Sequence, residues 1–308
     1  IRRGSRCSTA KAFLRPIRLR RNIHTALNSH VTRILINPMT MRAYGVEFVR
    51  NGRKQIVLAR KEVIMSAGSI NTPQIMMLSG IGPKNHLAKF GIPVLKDAPV
   101  GENLQDHVAM GGLTFLVNKP VSIVQDRLQA FPMTMQYIVH ATGPMTTLGG
   151  VEGIAFVNTK YGNRSWPDIQ FHMAPASVNS DAGAKVRKVL GLTEQVYNTV
   201  YKPIANKDVF TLMPLLLRPR SRGWVRLRSK NPFDAPAINA NYFEDPFDVK
   251  TLVEGAKIAM EISEAKAFKQ FGTRVHRVAF PNCKGHVFGS DAYWECHIRT
   301  FSMTIYHP

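Results

Sequence analysis

Apolar and polar residues alternate in short runs over residues 22–66, a pattern typical of consecutive β-strands. Asn51 and Gly52 form a dipeptide typical of a two-residue hairpin turn, so the runs on either side of it are predicted to pair. The last run, Val-Ile-Met at residues 63–65, has no polar member and predicts an interior strand of a parallel sheet. The predicted strands of this segment cover residues 31–36, 43–49, 55–59 and 63–65.

Beyond residue 107 the pattern alternates longer strands with helices. Trp-Val-Arg-Leu-Arg at residues 224–228 alternates strictly, which predicts a half-buried antiparallel strand. Asp248 is placed to cap a helix that runs to about residue 265, and the polar segment 176–206 is predicted to form a lid or loop. Further strands are predicted at residues 111–117, 149–157, 168–173 and 209–217, and a helix at residues 122–140. Before residue 107, two short helices are predicted at residues 71–78 and 83–90.

These elements predict a mixed α/β (α+β) chain, because long strands with one solvated face combined with helices favour an antiparallel sheet domain. The 308 residues are enough for two domains, and the apolar content of 44% is that of an ordinary globular protein. No apolar run approaches the length of a membrane span, so no transmembrane segment is predicted.

Residues 68–82, Gly-Ser-Ile-Asn-Thr-Pro-Gln-Ile-Met-Met-Leu-Ser-Gly-Ile-Gly, are the most informative segment. Gly68 permits a positive φ or a close backbone approach where a strand ends and a helix begins. Ser69 or Asn71 is expected to cap that helix, and Pro73 fits its first turn. A glycine turn that leads into a helix N-terminus suits an anionic ligand.

This segment resembles the second signature of the glucose–methanol–choline (GMC) oxidoreductases, which are flavoenzymes that oxidise alcohols with bound FAD. Four other segments resemble blocks of the same family and occur in the family's order. The overall sequence is most similar to the insect glucose-dehydrogenase-like branch. The four segments are residues 8–14, 30–35, 100–107 and 306–308, the last reading Tyr-His-Pro.

The resemblance implies part of a Rossmann-like FAD-binding domain interleaved with a substrate domain of antiparallel sheet and helices. Residues 1–108 would be the later portion of the FAD-binding domain. Residues 109–292 would form the substrate domain, with the family's C-terminal-type region beginning near residue 210. Residues 293–308 would return to the flavin side.

Oxidation of an alcohol by hydride transfer needs a base for the hydroxyl proton and an acceptor for the hydride. In the family, the base is the histidine of a Tyr-His-Pro or Tyr-His-Gly segment, which matches His307 here. The resemblance therefore implies that His307 is the catalytic base. A neutral imidazole suits this role because its pKa lies near working pH.

The family resemblance also indicates where FAD would be held. Family members contact the adenine through the backbone of the residue that corresponds to Val31. A backbone contact is equally compatible with Val31 being an ordinary β-branched residue of a strand. Ala67 and Gly68 are expected to line the cofactor, because small side chains let a strand end approach a dinucleotide closely.

Two interpretations apply to the segment Val-Gly-Glu-Asn-Leu-Gln-Asp-His at residues 100–107. In the first, this segment lies beside the flavin, so that Asn103 is a cofactor-binding residue. In the second, Asp106 and His107 form a local hydrogen-bonded pair that fixes the crossing between domains. His86 has no recognisable partner and is assigned to a surface or satisfied core position.

The formal charge of +21 is unevenly distributed, since residues 1–60 carry fourteen Lys or Arg and one acid, Glu47. One interpretation is a patch for nucleic acid or another polyanion; the other is a set of solvated strand faces. The arginines have no interleaved aromatic residues and no nucleic-acid-binding motif accompanies them, so solvated faces are favoured and no nucleic-acid partner is expected.

The three cysteines, Cys7, Cys283 and Cys296, show no metal-ligand spacing, and neither do the histidines, so no metal site is predicted. Cys283 and Cys296 would form a disulfide if the protein is secreted, which the family resemblance allows. Otherwise they would be small buried hydrophobic residues.

The resemblance implies an FAD-dependent oxidoreductase acting on the CH–OH group of a small-molecule alcohol such as a sugar or sterol. Its electron acceptor would be quinone-like, with dioxygen as the alternative. The family's Gly-x-Gly-x-x-Gly FAD fingerprint is not in this sequence. The chain is therefore expected to be a portion of the enzyme that is colourless and inactive alone. The alternative function is a non-catalytic, degenerate copy that acts as a basic binding protein.

Overall fold

The computed structural model describes residues 1–147 and 150–305. Contacts among these residues divide them into two compact units. The small unit contains residues 19–106 and 221–244, and the large unit contains residues 1–18, 107–220 and those from 245 onward. Within the described ranges, no helix is long and apolar enough to cross a membrane.

Short strands and short helices follow one another through the described residues, and α7 is the longest of these helices. The strands, in chain order, are β1 (Ser29–Ile36), β2 (Ala43–Arg50), β3 (Arg53–Leu58), β4 (Ile81–Gly82), β5 (Lys96–Asp97), β6 (Val108–Met110), β7 (Thr114–Leu116), β8 (Gly153–Val157), β9 (Ile169–Ala174), β10 (Val209–Leu216), β11 (Trp224–Arg226), β12 (Ala237–Asn239), β13 (Arg274–Val275) and β14 (Ser302–Thr304). The α-helices are α1 (Gly68–Leu78), α2 (Lys84–Ala88), α3 (Gln125–Leu128), α4 (Phe131–His140), α5 (Val186–Val189), α6 (Glu194–Val196), α7 (Pro246–Ser263), α8 (Lys266–Lys269) and α9 (Asp291–Thr300). Single turns of π- or 3₁₀-helix occur at Ala10–Leu14, Pro144–Thr146, Tyr197–Tyr201, Lys202–Ile204 and Pro281–Cys283.

In the small unit, β1, β2 and β3 form an antiparallel sheet in sequence order. Asn51 and Gly52 join β2 to β3, and their φ angles of 51° and 73° are both positive, as a type I′ hairpin turn requires. The three strands and the hairpin predicted from the alternation are therefore confirmed.

The strand predicted at residues 63–65 is wrong. These residues have no regular secondary structure, and the Ile64 side chain is 77% exposed. An interior parallel strand needs a neighbour on each side. Within the described residues, the sheets contain one parallel pair, β4 with β5, and neither of these strands pairs with residues 63–65.

Helix α1 begins at Gly68, earlier than predicted. Its N-cap is Ala67, not Ser69 or Asn71 as the sequence suggested. The backbone N–H of Ala67 donates to the hydroxyl of Thr72 at 3.0 Å, so a side chain from within the helix holds the turn that precedes it. The N-cap residue itself forms no side-chain hydrogen bond to the first turn of the helix.

The two ends of α1 are fixed differently. Pro73 was predicted in the first turn but lies further inside the helix. As a proline it has no backbone N–H, so it donates no hydrogen bond to the preceding turn. At the other end, the Ser79 hydroxyl donates to the Ile75 carbonyl at 2.6 Å and accepts the Ile34 N–H at 2.8 Å. Ser79 thus joins the end of α1 to strand β1.

The large unit is built around β10, which is buried along nearly its whole length. On one edge β10 pairs with β9, and β8 lies beyond β9. On its other edge β10 pairs with β7 and β6, which in turn pair with β13 and β14. All these pairings are antiparallel, so the predicted antiparallel sheet with helices is confirmed.

Two elements of the large unit differ in extent from the predicted ones, one strand being shortened and one helix divided. The strand predicted at residues 111–117 is shortened to β7, because Gly112, whose φ is +84°, separates it from β6. The helix predicted at residues 122–140 is divided into α3 and α4, because Pro132 stands in the first turn of α4 and cannot continue the preceding helix. In both places, the backbone conformation of one residue, a glycine or a proline, ends an element that the hydrophobic pattern alone would continue.

The N-cap of α7 is Asp245 rather than the predicted Asp248. The Asp245 carboxylate accepts the N–H of Phe247 at 2.8 Å, and Pro246 occupies the first helical position, where proline is favoured. Asp248 is buried in the first turn, and its carboxylate accepts the backbone N–H of Arg220 at 2.7 Å.

The segment 176–206, predicted as a polar lid or loop, is largely helical turns packed against the large unit. Tyr201 is fully buried, and the side-chain amide of Asn179 donates to the Ile204 carbonyl at 2.8 Å. The sequence showed its polar residues but not that the apolar ones between them would be buried.

Cys283 and Cys296 form a disulfide, and Cys7 is an exposed free thiol. The disulfide joins the turn Pro281–Cys283 to α9. Of the two alternatives that the sequence left open for this pair, the structure shows the disulfide.

His86 is half-buried and has a structural role in the small unit. Its Nε2 accepts the backbone N–H of Leu227 at 2.9 Å, beside a core of Met77, Leu87 and Leu227. Burial lowers the pKa of His86 below its ordinary value, and the positive charge of Arg226 adds to this effect. A protonated imidazole has no lone pair at Nε2, so the fold requires the neutral ring.

The first prediction concerns this pH dependence. Because the folded state depresses the pKa of His86, the unfolded state binds more protons as pH falls below about 6.5, and the free energy of unfolding should decrease there. His86→Gln keeps an acceptor but does not titrate, so it should lose less stability than the wild type between about pH 7.5 and pH 5.5 in urea unfolding. The exposed His24→Gln variant is the control and should lose as much as the wild type. Equal losses in all three proteins would contradict the prediction.

Candidate functional site

Val31 and Ala67, two of the residues predicted to hold a cofactor, line the same cavity in the small unit. The cavity has a volume of about 480 Å³ and lies between the sheet β1–β3 and the segment that leads into α1. Val31 contributes from β1 opposite Phe48 of β2, and Ala67 contributes from the N-cap of α1. Most of the wall is aliphatic, with Val46, Val57 and Met65 among its members. The structure therefore brings these two predicted residues together.

Gly68 is exposed beside this cavity and has a φ of +87°, which only glycine adopts without strain. A Cβ built at Gly68 would meet no other atom within 4 Å. The surface above the first turn of α1 is thus open. The positive end of the helix dipole at this uncapped N-terminus favours an anionic group there.

Asn103 lines a second cavity of about 310 Å³, on the other side of the start of α1. This cavity is formed by residues 101–105 together with Ser69, Pro73 and Val225. The structure therefore does not bring Asn103 into the same cavity as Val31 and Ala67. Helix α1 and its N-cap border both cavities: Ser69 and Pro73 line the second cavity, and Ala67 and Ile75 line the first.

Asn103 is held firmly within its loop. It has a positive φ of 64°, a conformation that asparagine tolerates better than most residues. Its side-chain oxygen accepts a hydrogen bond from Nε of Arg222 at 2.8 Å. The neighbouring Glu102 forms an ion pair with Arg226 at 3.2 Å. Two arginines from a distant part of the sequence therefore position this loop, and sequence reasoning did not find either of them.

Asp106, at the end of the same segment, is buried and accepts a hydrogen bond from the hydroxyl of Tyr242. Tyr242 lies far away in sequence, and no local spacing pointed to it. His107 belongs to the large unit, whereas Asp106 belongs to the small unit. Both interpretations of this segment, the cofactor contact and the Asp106–His107 pair, stay predictions.

His307, the predicted base, lies outside the described residues together with its neighbours Tyr306 and Pro308. The chain that precedes it is strand β14, whose Met303 pairs with Ala109 of β6. In the sequence, the predicted base therefore follows directly from an edge strand of the large unit's sheet.

His297 is a buried histidine that sequence reasoning did not single out. It lies on α9, and its Nε2 is 2.8 Å from the carbonyl oxygen of Gly111, to which the neutral ring donates. Burial lowers the pKa of His297 to about 4, so the ring is neutral at pH 7. The ring also packs against Phe280. These contacts give His297 a structural role, in which it holds Gly111 at the break between β6 and β7.

The large unit also contains a cavity of about 490 Å³. Its floor is one face of the sheet around β9, β10 and β14, and its walls come from α3, α5 and the turn Pro144–Thr146. Across residues 1–147 and 150–305, no group of three or more His, Cys, Asp or Glu side chains is arranged to hold a metal ion.

Comparison with known families defines the class of protein to which these sites belong. The GMC oxidoreductase family matches in two parts, its N-terminal model over residues 1–109 and its C-terminal model over residues 219–308. The chain belongs to the GMC oxidoreductase family. The resemblance inferred from the sequence motifs is confirmed.

Individual relatives agree with this assignment. The chain is 37% identical over 301 residues to a protein of Drosophila pseudoobscura pseudoobscura named glucose dehydrogenase [FAD, quinone], covering 97% of this chain and 45% of that protein. It is 32% identical over 311 residues to the mitochondrial choline dehydrogenase of Homo sapiens, covering 100% of this chain and 47% of that protein. The chain thus spans about half the length of the curated relatives that it matches.

Solved structures confirm the fold. The crystal structure of formate oxidase superposes with a TM-score of 0.78 at 23% identity, covering 100% of this chain and 54% of that chain. A pyridoxine 4-oxidase structure superposes with a TM-score of 0.72 at 23% identity, covering 100% and 51%. At this level of identity, the similarity establishes the fold alone.

The second prediction separates the backbone role of Asn103 from its side-chain role. Both Asn103→Gly and Asn103→Ala lose the bond to Arg222, but only alanine is strained at a positive φ. Asn103→Ala should therefore be less stable than Asn103→Gly by about 0.5–1 kcal/mol in urea unfolding. At Asn85, an exposed position within helix α2, the order should be reversed, because alanine is the better helix former. If the alanine variant is the more stable one at both positions, the positive φ of Asn103 does not affect stability.

Proposed function

We propose that this chain is part of an FAD-dependent oxidoreductase that oxidises the CH–OH group of an alcohol. The observation that carries the proposal is the match of the GMC oxidoreductase family to both ends of the chain, in the expected order. The names of the relatives support it, since they include glucose, choline and alcohol dehydrogenases.

The residues of the small unit suit a dinucleotide cofactor. Val31 and Ala67 line an aliphatic cavity, and beside it the N-terminus of α1 carries no side-chain cap. Gly68 leaves open space where any side chain would project. We assign the adenine portion of FAD to the Val31 side of the cavity and an anionic portion to the start of α1. Asn103, from the adjoining cavity, is proposed as a further cofactor-binding residue.

FAD, when bound, supplies the acceptor for a hydride from the carbinol carbon. The alcohol also loses its hydroxyl proton, and we assign that proton to the imidazole of His307, which gives the carbonyl product. The proposed division of labour follows the predicted domains: residues 1–108 hold the cofactor, residues 109–292 hold the substrate, and residues 293–308 bring His307 to the reacting alcohol. A quinone-like compound, or else dioxygen, would then accept the electrons.

The proposal is tested by purifying the complete protein that contains this chain and recording its visible spectrum. Bound oxidised flavin, bleached on addition of an alcohol without dioxygen, is the expected result. A complete protein that carries no flavin and takes up none when FAD is added would overturn the proposal. It would favour the alternative of a non-catalytic basic binding protein.

The third prediction concerns Gly68. Gly68→Val should reduce the flavin content of the complete protein severalfold, because the side chain would fill space that we assign to the cofactor. Gly91→Val is the matched control, since Gly91 also has a positive φ, of 64°, and also has no atom within 4 Å of a built Cβ. Both variants carry the same kind of backbone strain, and only the first should lose flavin. If the two lose flavin equally, the loss reflects strain, and Gly68 does not lie against the cofactor.

The fourth prediction concerns the base. His307→Ala should slow reduction of the flavin by alcohol by about 10²–10⁴-fold, which is the usual contribution of a general base, while leaving the flavin content unchanged. The exposed His286→Ala variant is the control and should reduce its flavin at the wild-type rate. A His307→Ala enzyme as fast as the control would remove His307 from the mechanism.

A further inference from the structure

The cavity of about 490 Å³ in the large unit has the size of a small-molecule site. It lies entirely within one unit, on the face of the sheet that carries Met213 of β10 and Met303 of β14. Met303 is four residues before the proposed base, His307. The cavity is therefore the natural place for the alcohol, and its lining indicates which kind of alcohol would be bound.

Most side chains on the wall are hydrocarbon or thioether groups. Met145, Met213 and Met303 contribute three flexible thioethers, and Leu128 and Leu190 face them from the short helical segments above the sheet. Methionine side chains adapt to apolar ligands of different shapes. Three polar side chains, Gln125, Gln129 and Lys185, also line the cavity, and Gln129 and Lys185 are exposed to solvent. The wall therefore offers more apolar contact area than fixed hydrogen-bonding groups.

The hydroxyl groups on the wall already have protein partners. Thr211 donates to the carbonyl oxygen of Ala176 at 2.7 Å. Ser177 and Thr114 share a hydrogen bond of 2.7 Å, and the Ser180 hydroxyl accepts the N–H of Ser177 at 3.0 Å. A sugar would bury several hydroxyls against these groups, and each hydroxyl left without a partner would cost about tenfold or more in affinity.

The one carboxylate on the described wall, Asp181, is occupied as well. One of its oxygens accepts the N–H of Gly183 at 3.0 Å, and the other accepts those of Lys185 and Val186 at 2.7 and 2.8 Å. A positively charged ligand would need this carboxylate or a cage of several aromatic rings. Phe301 is the one aromatic residue on the described wall, so the lining does not suit a quaternary ammonium.

We infer that the substrate is an apolar alcohol, with a hydrocarbon body and a single hydroxyl, and is neither a sugar nor a choline-like cation. This inference rests on the proposed function for the oxidation step, but the binding preference comes from the cavity alone. The hydrocarbon body lies against the methionines and leucines. The hydroxyl is the part that must reach the base and the flavin.

The first test measures kcat/KM of the complete, flavin-containing protein with ethanol, n-butanol, n-hexanol, benzyl alcohol, D-glucose and choline, using an artificial electron acceptor. Each added CH₂ should raise kcat/KM by up to about fourfold as it leaves water. Glucose and choline should be poorer substrates than n-hexanol. A higher kcat/KM for glucose or choline would overturn the inference while leaving the proposed oxidoreductase intact.

The second test measures binding without catalysis. Cumyl alcohol has no hydrogen on its carbinol carbon, so it cannot be oxidised by hydride transfer, and calorimetry can follow its binding to the complete protein. Met213→Gln, which replaces the thioether with an amide of similar length, should weaken this binding by about tenfold. The control Met39→Gln, at a side chain that is 90% exposed, should bind as the wild type does.

These outcomes separate the inference from the proposed function. Binding of cumyl alcohol that is weakened by Met213→Gln supports the apolar cavity, whether or not the flavin is reduced by alcohols. No binding, or equal binding by both variants, overturns the inference even if the protein is a working flavoenzyme. Should Met213→Gln fail to fold by circular dichroism, Leu190→Asn, at the end of a short helix on the wall, replaces it with the same expected result.

Discussion

The small unit depends on a backbone junction between two segments that are separated in sequence by the whole of residues 107–220. Gly101 and Val225 meet so closely that the carbonyl oxygen of Gly101 accepts the Val225 N–H at 2.6 Å. A Cβ on Gly101 would lie 2.1 Å from the Val225 carbonyl oxygen, so no other residue fits there. Nearby, Leu104 and Gly223 exchange a pair of hydrogen bonds, both 2.9 Å. The conformation of the loop that contains Asn103 therefore depends on residues more than a hundred positions further along the sequence.

Local features of the fold could be predicted from the sequence, whereas contacts such as this junction, between segments far apart in the chain, could not. The hairpin at Asn51 and Gly52 depends on local turn chemistry and alternation, and both are visible in a short window. The positions of Arg222 and Tyr242 against Asn103 and Asp106 depend on long-range pairing, which leaves no periodic signal. The failed strand at residues 63–65 has the same origin, because an apolar run does not show whether a neighbouring strand exists.

The parts of the candidate site that depend on a local sequence motif could be predicted, and the parts that depend on tertiary contacts could not. The glycine-rich segment that begins at Gly68 indicated the cofactor region, and the structure brings Val31 and Ala67 together there. Which residues support Asn103, and which histidine is buried as a structural residue, depends on tertiary contacts that no motif encodes. The domain limits and the roles of Val31, Ala67, Gly68, Asn103 and His307 stay predictions.

The small unit bears on the proposed cofactor, and the large unit bears on the proposed substrate. Around α1, an open glycine and an uncapped helix N-terminus meet requirements that a dinucleotide cofactor imposes, whatever the substrate is. In the large unit, the antiparallel sheet is a scaffold on which the lining can change without any change of fold, because alternate side chains of each strand face the cavity. Relatives that share the scaffold therefore need not share a substrate, and the names of those relatives say less about this chain than its own lining does. Here most side chains of the wall are hydrocarbon or thioether groups, and its hydroxyls and carboxylate are already bonded within the protein. This lining is the basis of our proposal that the cavity selects a ligand with a large apolar surface and few polar groups.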